Sequence, residues 1–230
     1  MNREITVALE GSTYQGSVAI LRANNVIAER TLESADEAPG KGKGDRMMPA
    51  VAEAMNEVGV VRQDIARIVC GSGPGSFTSL RVAGSIAKGL ASGYGVELYT
   101  VNSLLLTVAG SKRKLAPGPY ISLLNAMRGE YFVLHVMIDD GGGITMSSPG
   151  RVGLISVAEV VKLADTRGGA RCIGPGQDLD EVPHARGVAR LFDDILESGP
   201  VDLASWEPDY GRLAEAQVRW EATHGRPLGA

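Results

Sequence analysis

Residues 65–94 constrain the fold of this chain more than any other stretch. Apolar Ile65, Ile68 and Val69 lead into GSGPGSFTSLRVAGSIAKG (71–89), so a buried strand passes through a glycine-rich loop into a helix. At such a junction, exposed backbone N–H groups and a helix N-terminus can receive an anion. The loop has no Gly-Lys-Ser/Thr ending, as a triphosphate-binding loop would. It also lacks the acidic ribose partner about 20 residues on that a dinucleotide fingerprint carries. Its glycines permit positive φ, and its Ser and Thr residues suit a helix cap. Two readings stay open for Gly73, Gly75 and Ser76: phosphate contacts, or a purely structural loop.

The helix after the loop, over residues 80–94, is rich in small residues: Ala83, Gly84, Ser85, Ala87, Gly89, Ala91, Ser92 and Gly93. Each interior glycine costs about 1 kcal/mol against alanine, so three cost roughly 3 kcal/mol unless something compensates. Close approach of another backbone is the usual compensation. That backbone belongs either to this chain's own sheet or to another subunit. A second amphipathic helix is expected over 45–58, where Met47, Met48, Val51, Met55 and Val58 form one stripe. Pro49 sits near its start, where a missing N–H costs least, and Gly59 ends it.

The remaining elements fall around these. Residues 4–10, 17–22 and 26–32 read as three strands joined by tight turns, an antiparallel meander. A polar, glycine-rich stretch (39–44) precedes the first helix, and a strand over 97–101 follows the second. The pattern then restarts after Pro117-Gly-Pro119. Strands are expected over 120–126, 130–138 and 145–152, then a helix from a Ser156 cap through Ala164, then a strand over 171–174. The remainder reads as helical and less regular, ending in a polar tail. Two copies of a βββαβα unit imply a duplicated α/β fold, with mixed sheets flanked by helices. The units divide at residues 1–116 and 117–230, the second degenerate, with a cleft between them as the default ligand site.

Chemistry-bearing residues are few. Glu10, Ser12 and Thr13 lie where the first strand turns back, which suits either a Mg²⁺–phosphate loop or a plain hairpin turn. The three histidines, His135, His184 and His224, form no closely spaced metal pair, and no Ser/His/Asp triad assembles by spacing. Cys70 and Cys172 sit in or beside apolar strands and read as buried free thiols, too few for a disulfide framework. The net charge of −4 argues against a dedicated nucleic-acid surface. The basic run Lys112, Arg113 and Lys114 is then either a solvated loop or a local contact to RNA phosphate. The first residues carry no signal-like apolar core, and no apolar span approaches ~20 residues, so a cytoplasmic protein without a membrane segment is expected.

The loop GPGSFTSLR (73–81) resembles the GPGSFTGLR signature of the TsaB (YeaZ) family. RMMP (46–49), AKGL (87–90), NAMRGE (125–130) and EPDYGR (207–212) follow in the family's order. The resemblance implies an actin/sugar-kinase/Hsp70-like (RNase H-like) fold. It also implies a non-catalytic partner of TsaD that, with TsaE, supports N6-threonylcarbamoylation of adenosine 37 in tRNAs reading ANN codons. On that reading the chain pairs with TsaD as a heterodimer and meets tRNA only through the complex. It forms a homodimer when alone, has no cofactor or metal of its own, and shares any ATP or ADP at the TsaD interface. The expected interface is built from Met47, Met48, Val51, Met55, Val82, Ile86 and Leu90. Nucleotide or phosphate contacts would come from Ser12, Thr13, Gly73, Gly75 and Ser76. TsaD relatives hold their metal through two histidines, and the matching positions here are Ser103 and Thr107, neutral hydroxyls that serve a transition metal poorly. Three departures stand out: Ser79 for a glycine, Asn125 for an aspartate, and Gly44-Asp-Arg46 for His-Ser-Glu. The competing function is an independent phosphotransferase or ATPase of the same fold that uses Glu10.

Overall fold

A computed structural model describes residues 4–32, 44–147, 152–166, 169–212 and 223. The strands β1 (Ile5–Glu10), β2 (Ser17–Arg22) and β3 (Asn25–Thr31) form the expected antiparallel meander. Next come α1 (Gly44–Glu57), β4 (Ile65–Gly71), α2 (Phe77–Tyr94) and β5 (Glu97–Val101). Because β4 lies parallel to β1 and β5 parallel to β4, the first sheet runs β3-β2-β1-β4-β5. α2 starts a turn earlier than the pattern suggests, directly after the glycine loop. It stops where Gly95 turns left-handed (φ 65°) and its N–H reaches back to the last helical carbonyls.

The second half contains β6 (Gly118–Asn125), β7 (Glu130–Ile138), β8 (Ile144–Met146) and β9 (Gly153–Ser156). After them come α4 (Val157–Thr166), β10 (Arg171–Gly174), β11 (Leu179–Asp180), a 3-10 turn (Ala185–Ala189) and α5 (Phe192–Glu197). β6 is antiparallel to β7 and parallel to β10, so this sheet is mixed as well, in the order β11-β10-β6-β7-β8. The single strand expected over 145–152 is two short strands, β8 and β9, both paired to β7. Ser156 does open α4: its N–H and hydroxyl both donate to Glu159 (2.8 and 2.7 Å), one arm of a capping box. The polar stretch at 39–43, residues 148–151 and the tail from 213, including His224, lie outside the described residues.

Alternation along the strands sorts the side chains into layers. Ile5, Val7 and Leu9 of β1 face α1 and α2, whereas Ala8, with Val69 and Tyr99, faces the middle of the molecule. Tyr120 and Leu124 of β6 meet that central core from the other side, and Ile121 and Leu123 face α4. Between the two sheets lies α3 (Ser103–Ala109), buried on nearly every side. Among the described residues no helix is long and apolar enough to cross a membrane.

A polar lock joins the halves across this middle layer. Arg186, in the 3-10 turn, donates to both carboxylate oxygens of Glu29 on β3 (2.6 and 3.0 Å) and to the Gly110 carbonyl after α3 (3.0 Å). The buried His184 accepts the Arg186 backbone N–H at Nδ1 (3.1 Å), and its Nε2 lies 3.1 Å from the Thr31 hydroxyl and 2.8 Å from the Arg186 guanidinium. A protonated ring would set N–H donors against both the amide and the guanidinium. Burial and the Arg186 charge accordingly push the His184 pKa down to about 4. Burial alone would raise Glu29, but its paired hydrogen bonds to Arg186 outweigh that and hold it below the ordinary carboxylate range.

Both shifts make the fold acid-sensitive. The unfolded chain takes up a proton on His184 near its ordinary pKa of 6.5, whereas the folded chain resists until about 4. Stability contributed here is complete above 6.5 and is lost as the pH falls towards 4, on the order of 3 kcal/mol for this shift. Glu29 adds a loss at still lower pH, as its depressed pKa is crossed. Denaturant titrations at stepped pH should show this slope in the wild type and a flatter profile between pH 6.5 and 4 in His184→Asn; equal slopes would count against it.

Candidate functional site

The glycine loop is closed from within the chain. Its amides already donate: Ser72 N–H to the Val101 carbonyl (2.8 Å), Gly73 N–H to the Ser103 hydroxyl (3.1 Å), and Ser76 N–H to the Ser12 carbonyl (2.7 Å). The turn between β1 and β2 therefore packs directly on the loop. A Cβ at Gly75 would overlap the Ser12 carbonyl, and one at Gly71 would overlap the Glu10 carboxyl group. Of the anticipated phosphate contacts, Ser12 uses its N–H on Glu10 (2.5 Å), Thr13 donates its hydroxyl to the Gln15 carbonyl (2.7 Å), and Gly73 and Ser76 are committed as above. The structure brings Ser12, Gly73, Gly75 and Ser76 together, but it turns the N–H groups of Ser12, Gly73 and Ser76 inward. Ser79, the departure at this loop, is buried and donates to the Ser76 hydroxyl (2.9 Å).

Glu10 lies under the loop with no exposed surface. It accepts the Ser12 N–H and the Ser103 hydroxyl (2.9 Å), while the same Ser103 oxygen accepts from Gly73. Burial pushes its pKa up against these hydrogen bonds. A carboxyl group enclosed on all sides has no face to offer a hydrated Mg²⁺, which favours the plain hairpin turn of the two readings of Glu10. Ser103 and Thr107 are equally interior, and Thr107 donates to the Ser103 carbonyl (3.2 Å). Among the described residues no group of three His, Cys, Asp or Glu could hold a metal ion. Both cysteines are free and buried.

The faces of α1 and α2 sort the anticipated interface residues. Met47, Val51, Met55 and Leu90 are buried in the first sheet's own core, so they offer a partner no surface. The reason is periodicity: the stripe that marks the helix is the stripe that its own sheet consumes. Each such burial contributes about 1.5–3 kcal/mol to folding, so a polar change there tests stability rather than docking. Met48 is 41% exposed, and Val82 and Ile86 are half-buried. The small residues of α2 divide in the same way. Ala83 meets Gly11, and Gly84 meets Pro208 and Trp206 of this chain, but Gly89 and Gly93 have open space where a Cβ would stand.

A shallow depression of about 200 Å³ lies at the β6–β7 turn, lined by Asn125, Met127, Arg128, Gly129, Glu130, Tyr131 and Val157. Met127 and Arg128 hold left-handed backbones (φ 63° and 56°), and Asn125 receives the Met127 N–H (2.7 Å). Lys112 pairs with Glu29 and Arg113 with Glu181, both at 3.2 Å, so this basic run is partly neutralised.

With this geometry in place, comparison with known proteins is direct. A family model described as "TsaD: tRNA N6-adenosine threonylcarbamoyltransferase" matches residues 39–169, more than half of the chain. The tRNA threonylcarbamoyladenosine biosynthesis protein TsaB of Bacillus subtilis (strain 168) is 28% identical over 230 residues, covering 93% of this chain and 96% of that protein. The chain belongs to this family, in its TsaB (YeaZ) branch. TsaB of Escherichia coli (strain K12) is 31% identical over 97 residues, 42% of each chain. The solved structure of YeaZ from Pseudomonas aeruginosa superposes with a TM-score of 0.71 at 20% identity, over 90% of this chain and 99% of that one. The two mixed sheets flanked by helices are thus the actin-like fold that the TsaB resemblance implies.

Glycine substitutions separate the closed loop from the open helix face. Gly75→Ala sets a methyl group against a backbone carbonyl that cannot swing away, and should cost at least about 2 kcal/mol. Gly89→Ala meets nothing and removes helix entropy, so it should gain up to about 1 kcal/mol. Urea unfolding of the two variants should move in opposite directions; a neutral Gly75→Ala would contradict the closed loop.

Proposed function

We propose that this chain takes part in tRNA threonylcarbamoyladenosine biosynthesis as a non-catalytic scaffold for TsaD. The observation that carries the reading is the unfilled face of α2. Gly89 and Gly93 weaken an isolated helix, and no atom of their own chain stands where a side chain on either would sit, although Arg62 donates to the Gly93 carbonyl. Beside them lie half-buried Val82 and Ile86, exposed Ser85, and Met48 on the neighbouring α1. A helix pair from a partner can approach such a surface closely. The positions at which TsaD relatives carry metal-binding histidines are Ser103 and Thr107, both spent on internal hydrogen bonds. That supports an accessory role beside TsaD and TsaE over an independent phosphotransferase or ATPase, and the enclosed Glu10 supports it further.

On this reading the chain is cytoplasmic, and α1 and α2 form a TsaD heterodimer, or a homodimer when the chain is alone. Met48, Val82 and Ile86 are the side chains that meet the partner. Nucleotide, where it binds, is held jointly with TsaD, and tRNA is reached through the complex. Size-exclusion chromatography of the purified chain with its cognate TsaD should give a 1:1 complex. Gly89→Arg should leave the melting temperature of the isolated chain within a few degrees and abolish that complex. It should also abolish threonylcarbamoylation of adenosine 37 in a reaction reconstituted with TsaD and TsaE. No complex with the wild type, or unaltered binding by Gly89→Arg, would refute the proposal.

A further inference from the structure

After α5 the chain does not stay with the second half. The Val201 N–H donates to the Leu98 carbonyl of β5 (2.8 Å), and Val201, Leu203 and Trp206 pack against the core under α1 and α2. Lys88 of α2 donates to the Trp206 carbonyl (2.9 Å), and Pro208 lies against Gly84. The Asp209 N–H donates to the Ser72 carbonyl of the glycine loop (2.7 Å), with the Asp209 carbonyl against Gly73. The Tyr210 ring stands 4.5 Å from that of Phe77, the first residue of α2. Gly211 is wedged between Pro74 of the loop and the Phe132 ring of β7, and Arg212 pairs with Glu130 of β7.

Residues 206–212 therefore touch the small-residue helix, the glycine loop and the second sheet in turn. Their path is fitted at three glycines. A Cβ at Gly73 would overlap Asp209, one at Gly84 would stand 3.0 Å from Pro208, and one at Gly211 would overlap Phe132. Gly73 (φ 96°) and Gly211 (φ 66°) also hold backbones that other residues rarely adopt. We propose that residues 206–212 are a strap that covers the glycine loop and ties it to the second sheet, so that the buried Gly73 and Pro74 of the loop and Phe132 of β7 become accessible only together, on its release. Its far end is held by one partly exposed ion pair and one ring contact, a grip that salt weakens, so it lets go from the Arg212 end first.

Hydrogen exchange on the full chain tests this through the amides of residues 72–73 and 130–132. Gly211→Val, which drives a side chain into Phe132, should speed exchange in both segments at least tenfold and leave β1 and β4 as in the wild type. Arg212→Lys keeps the charge but loses the guanidinium contact, and should move the same two segments in the same proportion by less. Raising the salt from 0.05 to 1 M should do so in the wild type. Should Gly211→Val also loosen β1 and β4, Arg212→Lys decides. Release of 206–212 with less than a twofold change in either segment, or a change in one without the other, would overturn the proposal.

Discussion

One buried hydroxyl organises the middle of this protein. Ser103 donates to Glu10 at the end of β1 and accepts from Gly73 in the glycine loop, while starting the helix that lies between the sheets. Three segments far apart in sequence meet on a single oxygen atom. Burying a carboxyl group is costly, and it is tolerated because both of its oxygens find donors. The network sets narrow limits on its neighbours. Gly71 must lack a side chain to leave room for the carboxyl group, and Gly75 must lack one to let the β1–β2 turn close on the loop. The loop's glycines thus serve contact with their own chain, and the phosphate-cradle look of the sequence is a by-product of that packing.

The same economy governs α2. A helix with glycines on opposite sides must be approached from both, or remain weak. On one side the approach is internal: the β1–β2 turn reaches Ala83 through Gly11, and Pro208 and Trp206 reach Gly84. On the other, Gly89 and Gly93 face open space. The alternatives left open by the sequence, own sheet or foreign subunit, are not exclusive, because Gly84 lies on the opposite side of the helix from Gly89 and Gly93.

Strands were legible wherever one of their faces met a different environment from the other. The two-residue alternation of β1 and β7 and the tight turns around β2 fixed those elements to within a residue. α3 was not legible, since Leu104, Leu106, Val108 and Ala109 are buried on several sides and leave no stripe for a helical period to show. The stripe of α1 was ambiguous for a related reason. Periodicity marks which residues of α1 leave water, but it cannot say whose core they enter, and Met47, Val51 and Met55 enter their own. The lock among Glu29, His184 and Arg186 joins residues more than 150 positions apart, and no local pattern announces it. The strap was missed because its proline, glycine and aromatics work singly, each against a different neighbour, and such a segment has no period at all.

These connections limit how the two halves of the chain can move against each other. Two half-structures that meet through one layer of helices could hinge at that layer. Here that layer is held three times: the Ser103 network fixes α3 to the first sheet and the glycine loop, Arg186 ties the 3-10 turn to β3 and to the end of α3, and residues 206–212 tie the loop to β7. The first is buried and satisfied, so breaking it leaves an uncompensated polar group in the interior, at a cost of several kcal/mol, whereas the second is only part-buried and costs less to break. The third is peripheral, and its release strands nothing. If the halves move, the order of events is therefore set: the strap yields before the lock, and the loop becomes mobile before Glu10 meets water.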